Sequence, residues 1–258
     1  MSKIEKVYIQ QENGSFQDDW LYYAYMGFKE KGIKIQFFEC GDGEKLPIGI
    51  IPYKKHMIVG WIQYTMLYFN AIQNSKEKYN KDPLYEIPKP LNVPDSIKKY
   101  AMRNFNVVTM GDFKKDTTLP IFVKPYDKLK LFTGGVITKS DSRRFFYHDV
   151  SDDTLVMTSD VLDIITEYRC FVNNGKLVGI KHYNGDFDKF IDVDVVRNAI
   201  NDYIEQPIAY TIDFGLTSDN KTVLIECNDA WSICNYGLDS DIYVNMLINR
   251  WIEIFNLY

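Results

Sequence analysis

The chain carries Ile-Asp-Phe-Gly at residues 212–215 and Leu-Ile-Glu-Cys-Asn-Asp at residues 224–229. Both segments lie in β-forming runs separated by a Ser-Asp-Asn turn, which predicts a hairpin. Side chains two residues apart in a strand share a face, so Glu226 and Asn228 lie together, and the partner strand brings Asp213 alongside. Two carboxylates and an amide oxygen form the oxygen set that Mg²⁺ prefers. The alternative is that these polar side chains are merely solvated on an amphipathic hairpin.

The rest of the sequence predicts an α/β protein in two parts. The first quarter alternates strand and helix signals, including a helix that starts near Asp18 and stops at Gly32, as in βαβ units. Four prolines between Pro83 and Pro94 disfavour helix interiors and central strands. We therefore predict a small N-terminal α/β domain at residues 1–94 and a second domain at residues 95–258.

The second domain is rich in strand signals. The turn Asn173-Asn174-Gly175 predicts a tight hairpin, because Asn and Gly tolerate the positive φ that such turns require. A helix is predicted over residues 192–203, and another closes the chain. The strands predicted ahead of the hairpin turn include Asn106–Met110, Ile121–Lys124, Leu131–Thr138 and Leu155–Thr158.

Composition and charge exclude several classes of protein. The 258 residues are 46% apolar and 25% charged, which is ordinary for a globular protein with a real core. No apolar run approaches 18 residues, so we expect no membrane span, and the polar start of the chain predicts no secretory signal peptide. The net charge of −5 argues against a general nucleic-acid binder.

The cysteines and histidines predict neither a zinc site nor a catalytic triad. The four cysteines form no CxxC pair and the three histidines are scattered, which favours reduced thiols in a cytoplasmic protein. No Ser-His-Asp or Cys-His arrangement is evident, so covalent catalysis by a side-chain nucleophile is not favoured.

An apolar strand at residues 120–125, Pro-Ile-Phe-Val-Lys-Pro, delivers one lysine, Lys124, at its end. Burying an unpaired ammonium is costly, so this lysine needs a partner. A phosphate or a neighbouring carboxylate would be such a partner. The alternative is that Lys124 lies on the surface at the end of its strand.

A few residues later comes Thr133-Gly134-Gly135, whose backbone could approach an anion closely, although a plain β-turn would look the same.

Taken in order, these motifs resemble the ATP-grasp superfamily of carboxylate–amine ligases. An Asp on one strand followed by Glu-x-Asn on the next is similar to that family's metal-binding signature. The resemblance is closer still to a poorly characterised bacterial and phage clade, through Phe-Val-Lys-Pro, Glu-Tyr-Arg-x-Phe-Val and Glu-x-Asn-Asp-x-Trp. It covers roughly residues 95–258 and implies two antiparallel or mixed sheets that sandwich ATP.

The resemblance also implies roles for single residues. Magnesium would be held by Asp213, Glu226 and Asn228. The phosphates would be met by Lys124, Lys130, Thr133, Gly134 and Gly135. Adenine would lie against the hinge formed by Asp160, Val161, Leu162 and Asp163, with the ribose on Glu167. An exposed Glu167–Arg169 ion pair is the alternative for that strand, and such a pair is worth little.

Two departures from the family pattern affect the reaction. Many ATP-grasp ligases have an arginine two residues before the metal-binding Asp, where this chain has Thr211; Arg169 or Lys181 could replace it. The family's first phosphate-binding lysine also lacks a clear counterpart, for which Arg103 is our candidate.

Trp231 and Tyr236 could form one wall of an acceptor pocket, or belong to the core as aromatics more often do.

The function implied is ATP- and Mg²⁺-dependent activation of a carboxylate as an acyl phosphate and its ligation to an amine. Arg169, Lys181 and Lys130 would be its catalytic residues. The alternatives are a non-catalytic ATP-binding interaction module and a structural α/β protein that binds no nucleotide. A small molecule, amino acid or peptide is the expected substrate; neither its identity nor the oligomeric state can be read from the sequence.

Overall fold

The computed structural model describes residues 3–79, 87–139 and 147–258, so Pro83 of the predicted linker lies outside the described residues. The strands are β1 Lys6–Gln11, β2 Lys34–Glu39, β3 His56–Val59, β4 Phe105–Thr109, β5 Ile121–Pro125, β6 Gly135–Ile137, β7 Leu155–Ser159, β8 Ile164–Asn173, β9 Lys176–Gly185, β10 Ala209–Thr217 and β11 Thr222–Asp229. The α-helices are α1 Asp19–Glu30, α2 Ile62–Tyr79, α3 Met110–Lys115, α4 Val193–Asp202 and α5 Ser240–Ile254. Two 3-10 helices span Asp95–Ala101 and Ala230–Ser232.

The first three strands form a parallel sheet in the order β2-β1-β3. Helix α1 covers it with a buried stripe of Leu21, Ala24 and Phe28, since residues three and four apart share a helix face. The helix ends where predicted: Lys31 follows it as the cap and Gly32 has φ +67°, a conformation that glycine adopts without steric cost. The βαβ prediction for this part is confirmed.

The remaining strands form two antiparallel four-stranded sheets, β4-β7-β5-β6 and β11-β10-β8-β9. We call the first the small sheet and the second the large sheet. The predicted hairpin turn between β8 and β9 is confirmed, with φ +52° at Asn174 and +70° at Gly175. Positive φ at both central residues matches the right-handed twist of the flanking strands.

Two strand predictions need correction. Only Gly135–Ile137 of the predicted Leu131–Thr138 strand is extended. Lys130 turns the chain with φ +56°, and residues 131–134 form an irregular loop that leads into β6. Met110 belongs to helix α3 rather than to β4. The Thr109 hydroxyl accepts a hydrogen bond from the Asp112 backbone N–H and so caps the helix one residue earlier than the strand pattern suggested.

Three hydrophobic cores hold these layers together. The first combines the parallel sheet and helices α1 and α2 with α5, where Trp251 packs on Tyr68 and Phe69. The second lies between the large sheet and α4, and the third between the small sheet and α3. The first core joins residues on both sides of the predicted boundary at residue 94, which stays a prediction. No helix in the described part of the chain is both long and apolar enough to cross a bilayer.

Strand alternation gives the large sheet two different faces. On β8 and β10 one face is apolar, with Tyr168, Cys170, Ile212 and Phe214 all in the second core. The intervening residues point to the opposite face, which is where the polar side chains of the predicted site are found.

We expect Gly27→Ala to destabilise the protein although alanine is intrinsically the better helix former by about 1 kcal/mol. A Cβ at position 27 would lie 2.5 Å from the Ser240 backbone oxygen and 2.6 Å from Val244 Cγ2, so α1 and α5 would have to separate. Urea denaturation measures the change. The control is Asn70→Ala on an exposed helical position; an equal or smaller loss for Gly27→Ala than for the control would refute the close-approach argument.

Candidate functional site

Four charged side chains form a row across the large sheet. Glu226 on β11 lies opposite Asp213 on β10, Asp213 lies opposite Arg169 on β8, and Arg169 lies opposite Lys181 on β9. Directly paired residues share a sheet face and stand about 5 Å apart. The register therefore places two carboxylates beside two cations on one face.

Arg169 and Asp213 form the buried centre of this row. Arg169 Nε donates to Asp213 Oδ1 at 2.9 Å, and Nη2 donates to Oδ2 at 2.6 Å. The Asp213 side chain is 1% exposed and that of Arg169 is 11% exposed. Burial raises the pKa of Asp213 above its ordinary value even though the guanidinium opposes this shift. Desolvation acts to lower the pKa of Arg169, but the charge and hydrogen bonds of Asp213, with Tyr236 and Tyr183, together raise it.

Asn228 links the two carboxylates. Its Nδ2 lies 3.0 Å from Glu226 Oε1 and 3.4 Å from Asp213 Oδ2. The solvated-hairpin alternative is wrong for Asp213, which is fully buried. Among the described residues no three His, Cys, Asp or Glu side chains form a metal cluster, but two carboxylates and one amide within hydrogen-bond reach suit a hard divalent cation that completes its shell with phosphate oxygens.

Lys124 connects the two antiparallel sheets. It lies near the end of β5 in the small sheet, and its Nζ donates to Glu226 Oε2 of the large sheet at 2.9 Å. The Lys124 side chain is 15% exposed and that of Glu226 is 31% exposed. Burial opposes ionisation of Glu226, but the ammonium and the Asn228 hydrogen bond outweigh it, so the pKa of Glu226 falls below its usual value. The partner that Lys124 requires is thus a carboxylate in this structure.

Gly134, in the glycine loop at residues 133–135, lies beside Lys124, one position ahead of the Gly135–Val123 pair that joins β6 to β5. A Cβ on Gly134 would lie 2.9 Å from Lys124 Cβ and 3.0 Å from the Phe122 ring, so only glycine permits this approach. Thr133 precedes it on the surface, and Gly135 begins β6.

Lys130 stands on an exposed turn ahead of that loop. Burial raises the pKa of the Cys234 thiol, and the charges of Arg169 and Lys130 both act to lower it. The role of Lys130 toward the phosphates stays a prediction.

The predicted hinge joins the small sheet to the large one. Asp160, Val161, Leu162 and Asp163 connect β7 to β8. Asp160 Oδ2 accepts from the Asn104 backbone N–H at 3.0 Å and from its side-chain amide at 2.8 Å. The Asp163 carbonyl accepts from the Ser218 N–H at 2.9 Å. Both ends of the hinge are fixed by hydrogen bonds, while Val161 and Leu162 stay partly exposed.

Glu167 and Arg169 do not pair with each other. Glu167 Oε2 accepts from the Tyr183 hydroxyl at 2.6 Å, and Oε1 accepts from Asn184 Nδ2 at 3.0 Å. Burial, followed by the charge of Asp213 and the bond to Glu167, raises the pKa of Tyr183. The exposed ion pair considered for this strand is absent, and Glu167 is instead held in place at the hinge end of β8.

Arg103 is hydrogen-bonded to the backbone of β11 next to Glu226. A β-bulge between Asp213 and Phe214 leaves Ile225 outside the pairing register, and Arg103 Nη2 donates to the Ile225 carbonyl at 3.0 Å. Burial lowers the pKa of Arg103, and Glu226, Asp160 and Glu167 partly offset that effect. Its buried Nε makes no hydrogen bond within the described chain. A cavity of about 680 Å³ opens here, lined by Lys98, Lys99, Arg103, Asn104, Phe105, Asn106 and Asp160.

Two tyrosines complete the surroundings of Arg169. Its Cζ lies 4.9 Å from the centre of the Tyr236 ring and 5.8 Å from that of Tyr183. The two rings stack with centres 5.2 Å apart and planes at 19°. Sequence analysis missed Tyr183, although its position two residues after Lys181 in the hairpin strand would have placed it on this face. Trp231, in contrast, is buried against Phe69 in the first core.

We expect a coupling energy of about 1 kcal/mol between Lys124 and Glu226, since a partly buried pair exceeds most surface pairs. A double-mutant cycle of Lys124→Met and Glu226→Gln in urea measures it. The control cycle uses Lys221 and Asp219, which are paired at 2.7 Å but are both largely exposed. A coupling no larger than the control would show that this contact does not hold the sheets together.

Comparison with known proteins agrees with this architecture. Comparison with curated protein sequences finds no significant match. Among solved structures, the chain is similar to D-alanyl-alanine synthetase A from Vibrio cholerae (TM-score 0.59, 13% identity, covering 97% of this chain and 99% of that one). It is also similar to D-alanine–D-alanine ligase from Bacillus anthracis (0.56, 12%, 98% and 99%) and to a D-cycloserine synthetase (0.56, 9%, 96% and 99%). At these identities the likeness shows the fold.

The family follows from the sequence itself. The model of the ATP-grasp domain, R₂K clade family 2, matches residues 100–246, which spans the hinge, Lys124 and the whole row of charges. This confirms the predicted superfamily; a bacterial or phage origin stays a prediction. The chain belongs to the ATP-grasp domains of the R₂K clade, family 2.

Proposed function

We propose that this protein uses ATP and Mg²⁺ to activate a carboxylate as an acyl phosphate and to join it to an amine. The observation that carries the proposal is the meeting of Lys124 from the small sheet with Glu226, Asp213 and Asn228 of the large sheet. A cation from one sheet that meets an oxygen-donor set on the other suits a nucleotide triphosphate with its metal.

The metal would be held by Asp213, Glu226 and Asn228. The fit rests on the donor set: two carboxylates on paired strands, and an amide that already reaches both. When bound, Mg²⁺ would neutralise charge on the phosphates. Asn228 would turn its amide oxygen, rather than its nitrogen, toward the cation, which needs only a rotation about its terminal bond.

The nucleotide would lie between the two sheets. Asp160, the first hinge residue, lines a cavity together with Arg103, and adenine would lie there against the hinge at Val161 and Leu162. Glu167 would accept hydrogen bonds from the ribose, because each of its oxygens has a second lone pair beyond those used by Tyr183 and Asn184. Lys124, Lys130 and the amides of the glycine loop would face the phosphates.

The reaction needs positioning rather than a side-chain nucleophile. A substrate carboxylate oxygen attacks the γ-phosphorus, and the bond to the β-phosphate oxygen breaks to release ADP. The amine then attacks the acyl carbon, phosphate leaves, and the nitrogen loses a proton as the amide forms. Arg169 and Lys181 would bind the carboxylate and then the developing negative charge.

One observation favours the alternative of a non-catalytic ATP-binding module. Thr211 stands where many ATP-grasp ligases have an arginine, and its fully buried hydroxyl has no hydrogen-bond partner among the described residues. Arg169, two strand positions away on the neighbouring strand, supplies a guanidinium to the same face. Turnover decides between the two functions.

We expect Mg-ATP to raise the melting temperature by about 5 °C or more at a hundredfold excess over the dissociation constant. Glu226→Gln should remove most of the shift, because it weakens the metal site while it keeps the side chain's shape. Differential scanning calorimetry with and without EDTA measures this. The control Asp194→Asn alters an exposed carboxylate on α4 and should behave like the unmodified protein.

Release of ADP tests the catalytic part of the proposal. The protein is supplied with Mg-ATP and pooled D- and L-amino acids and short peptides, a choice guided by the names of the structural neighbours. Ligation predicts ADP and phosphate formation that depends on the pool and falls at least about a hundredfold in Glu226→Gln. Tight nucleotide binding without turnover would favour the binding module, and no binding at all would exclude both.

Replacing Glu167 should change which nucleotide is preferred. If its carboxylate binds the ribose hydroxyls, the protein binds ATP about tenfold more tightly than 2′-deoxy-ATP, and Glu167→Gln removes most of that difference. Calorimetric titration of both nucleotides measures it. Asp194→Asn, an exposed change on α4, is the control; equal discrimination by Glu167→Gln and the unmodified protein would place the ribose elsewhere.

A further inference from the structure

The protein's own donors occupy every oxygen of the two carboxylates. Asp213 Oδ1 accepts from Arg169 Nε at 2.9 Å, and Oδ2 accepts from Arg169 Nη2 at 2.6 Å. Glu226 Oε2 accepts from Lys124 at 2.9 Å, and Oε1 accepts from Asn228 at 3.0 Å. A divalent cation that binds these oxygens brings its charge close to the Arg169 guanidinium and the Lys124 ammonium, and like charges repel. The cation therefore competes with both side chains, of which Arg169 is held to its carboxylate by two hydrogen bonds.

The displaced guanidinium has a second place to go. The Tyr236 ring is 4.9 Å from Arg169 Cζ and 43% exposed, and it stacks on Tyr183. Flat aromatic faces attract a guanidinium without fixing its position along the ring. The side chain can thus turn away from Asp213 while it keeps this contact.

We propose that Arg169 is an exchangeable internal cation, which neutralises Asp213 until Mg²⁺ with its nucleotide arrives and then binds the substrate carboxylate. The inference rests on the proposed function and adds to it an order in which the ligands bind. While Arg169 is held by Asp213, its two best-placed N–H donors and its charge are already used. Release makes a planar fork available that matches a carboxylate, so metal and nucleotide bind first and the carboxylate follows.

Competition between Arg169 and the metal has a consequence that needs no substrate. Two ligands for one carboxylate weaken each other by the same factor. Removing the guanidinium must therefore strengthen binding of a divalent cation, although the same change removes a residue that the reaction uses. A residue that merely stabilises the fold would have the opposite effect, because a loosened site binds metal less well.

The test is calorimetric titration with Mn²⁺ alone, without nucleotide. Arg169→Gln should bind Mn²⁺ at least about tenfold more tightly than the unmodified protein. Arg197→Gln is the matched control, because its guanidinium pairs with Asp194 on the surface of α4 and should leave the affinity unchanged. Equal or weaker Mn²⁺ binding by Arg169→Gln, with a cooperative melt that shows a folded protein, overturns the proposal.

Arg169→Lys keeps the inference testable if the glutamine variant does not fold. Lysine retains the charge but loses the two-pronged contact, so Mn²⁺ should bind severalfold more tightly than to the unmodified protein; unchanged or weaker binding overturns the exchange. Asp213→Asn and Glu226→Gln distinguish failure of the proposed metal site from failure of the Arg169 exchange. If both bind Mn²⁺ normally, the proposed metal site fails; if both lose it while the Arg169 variants bind as the unmodified protein does, only the exchange fails.

Discussion

An ionised carboxylate at the centre of a packed sheet face is the constraint on which this site depends. Asp213 is shielded from water on all sides, and an unpaired charge there would cost several kcal/mol. The antiparallel register offsets this cost because it places the Arg169 guanidinium directly opposite Asp213 on β8. Two further contacts lie beside that ion pair. Asn228 bridges Asp213 and Glu226, and the Tyr183 hydroxyl holds Glu167.

The two antiparallel sheets are joined beside the row of charges. The hinge between β7 and β8 connects them covalently, and Lys124 connects them electrostatically across the cleft. Each sheet has its own hydrophobic core, so the surfaces that face each other can stay polar. Neither core depends on the contact between the sheets, so a charged ligand could take the place of Lys124 at Glu226 without opening either core.

Much of the fold could be predicted because local chemistry decides it. Asn174 and Gly175 specify their turn through φ, and alternation places Glu226 beside Asn228. The segment from Leu131 to Thr138 has strand-forming residues, but residues 131–134 form a loop because Lys130 adopts a left-handed conformation, and Gly134 then lies close to Lys124. The spacing from Lys181 gives the face on which Tyr183 lies, but not its partner, because Glu167 is on another strand past a register shift.

The sequence by itself determined the family, the order of the site motifs along the chain and the three oxygen-bearing side chains that share a face. Those properties follow from residue type and from the two-residue period of a strand. Only the tertiary structure decided the pairing of charges: Arg169 with Asp213 rather than with Glu167, and Lys124 with a carboxylate from the opposite sheet. Pairing across strands and sheets depends on register, bulges and the approach of separate cores, which no single segment encodes.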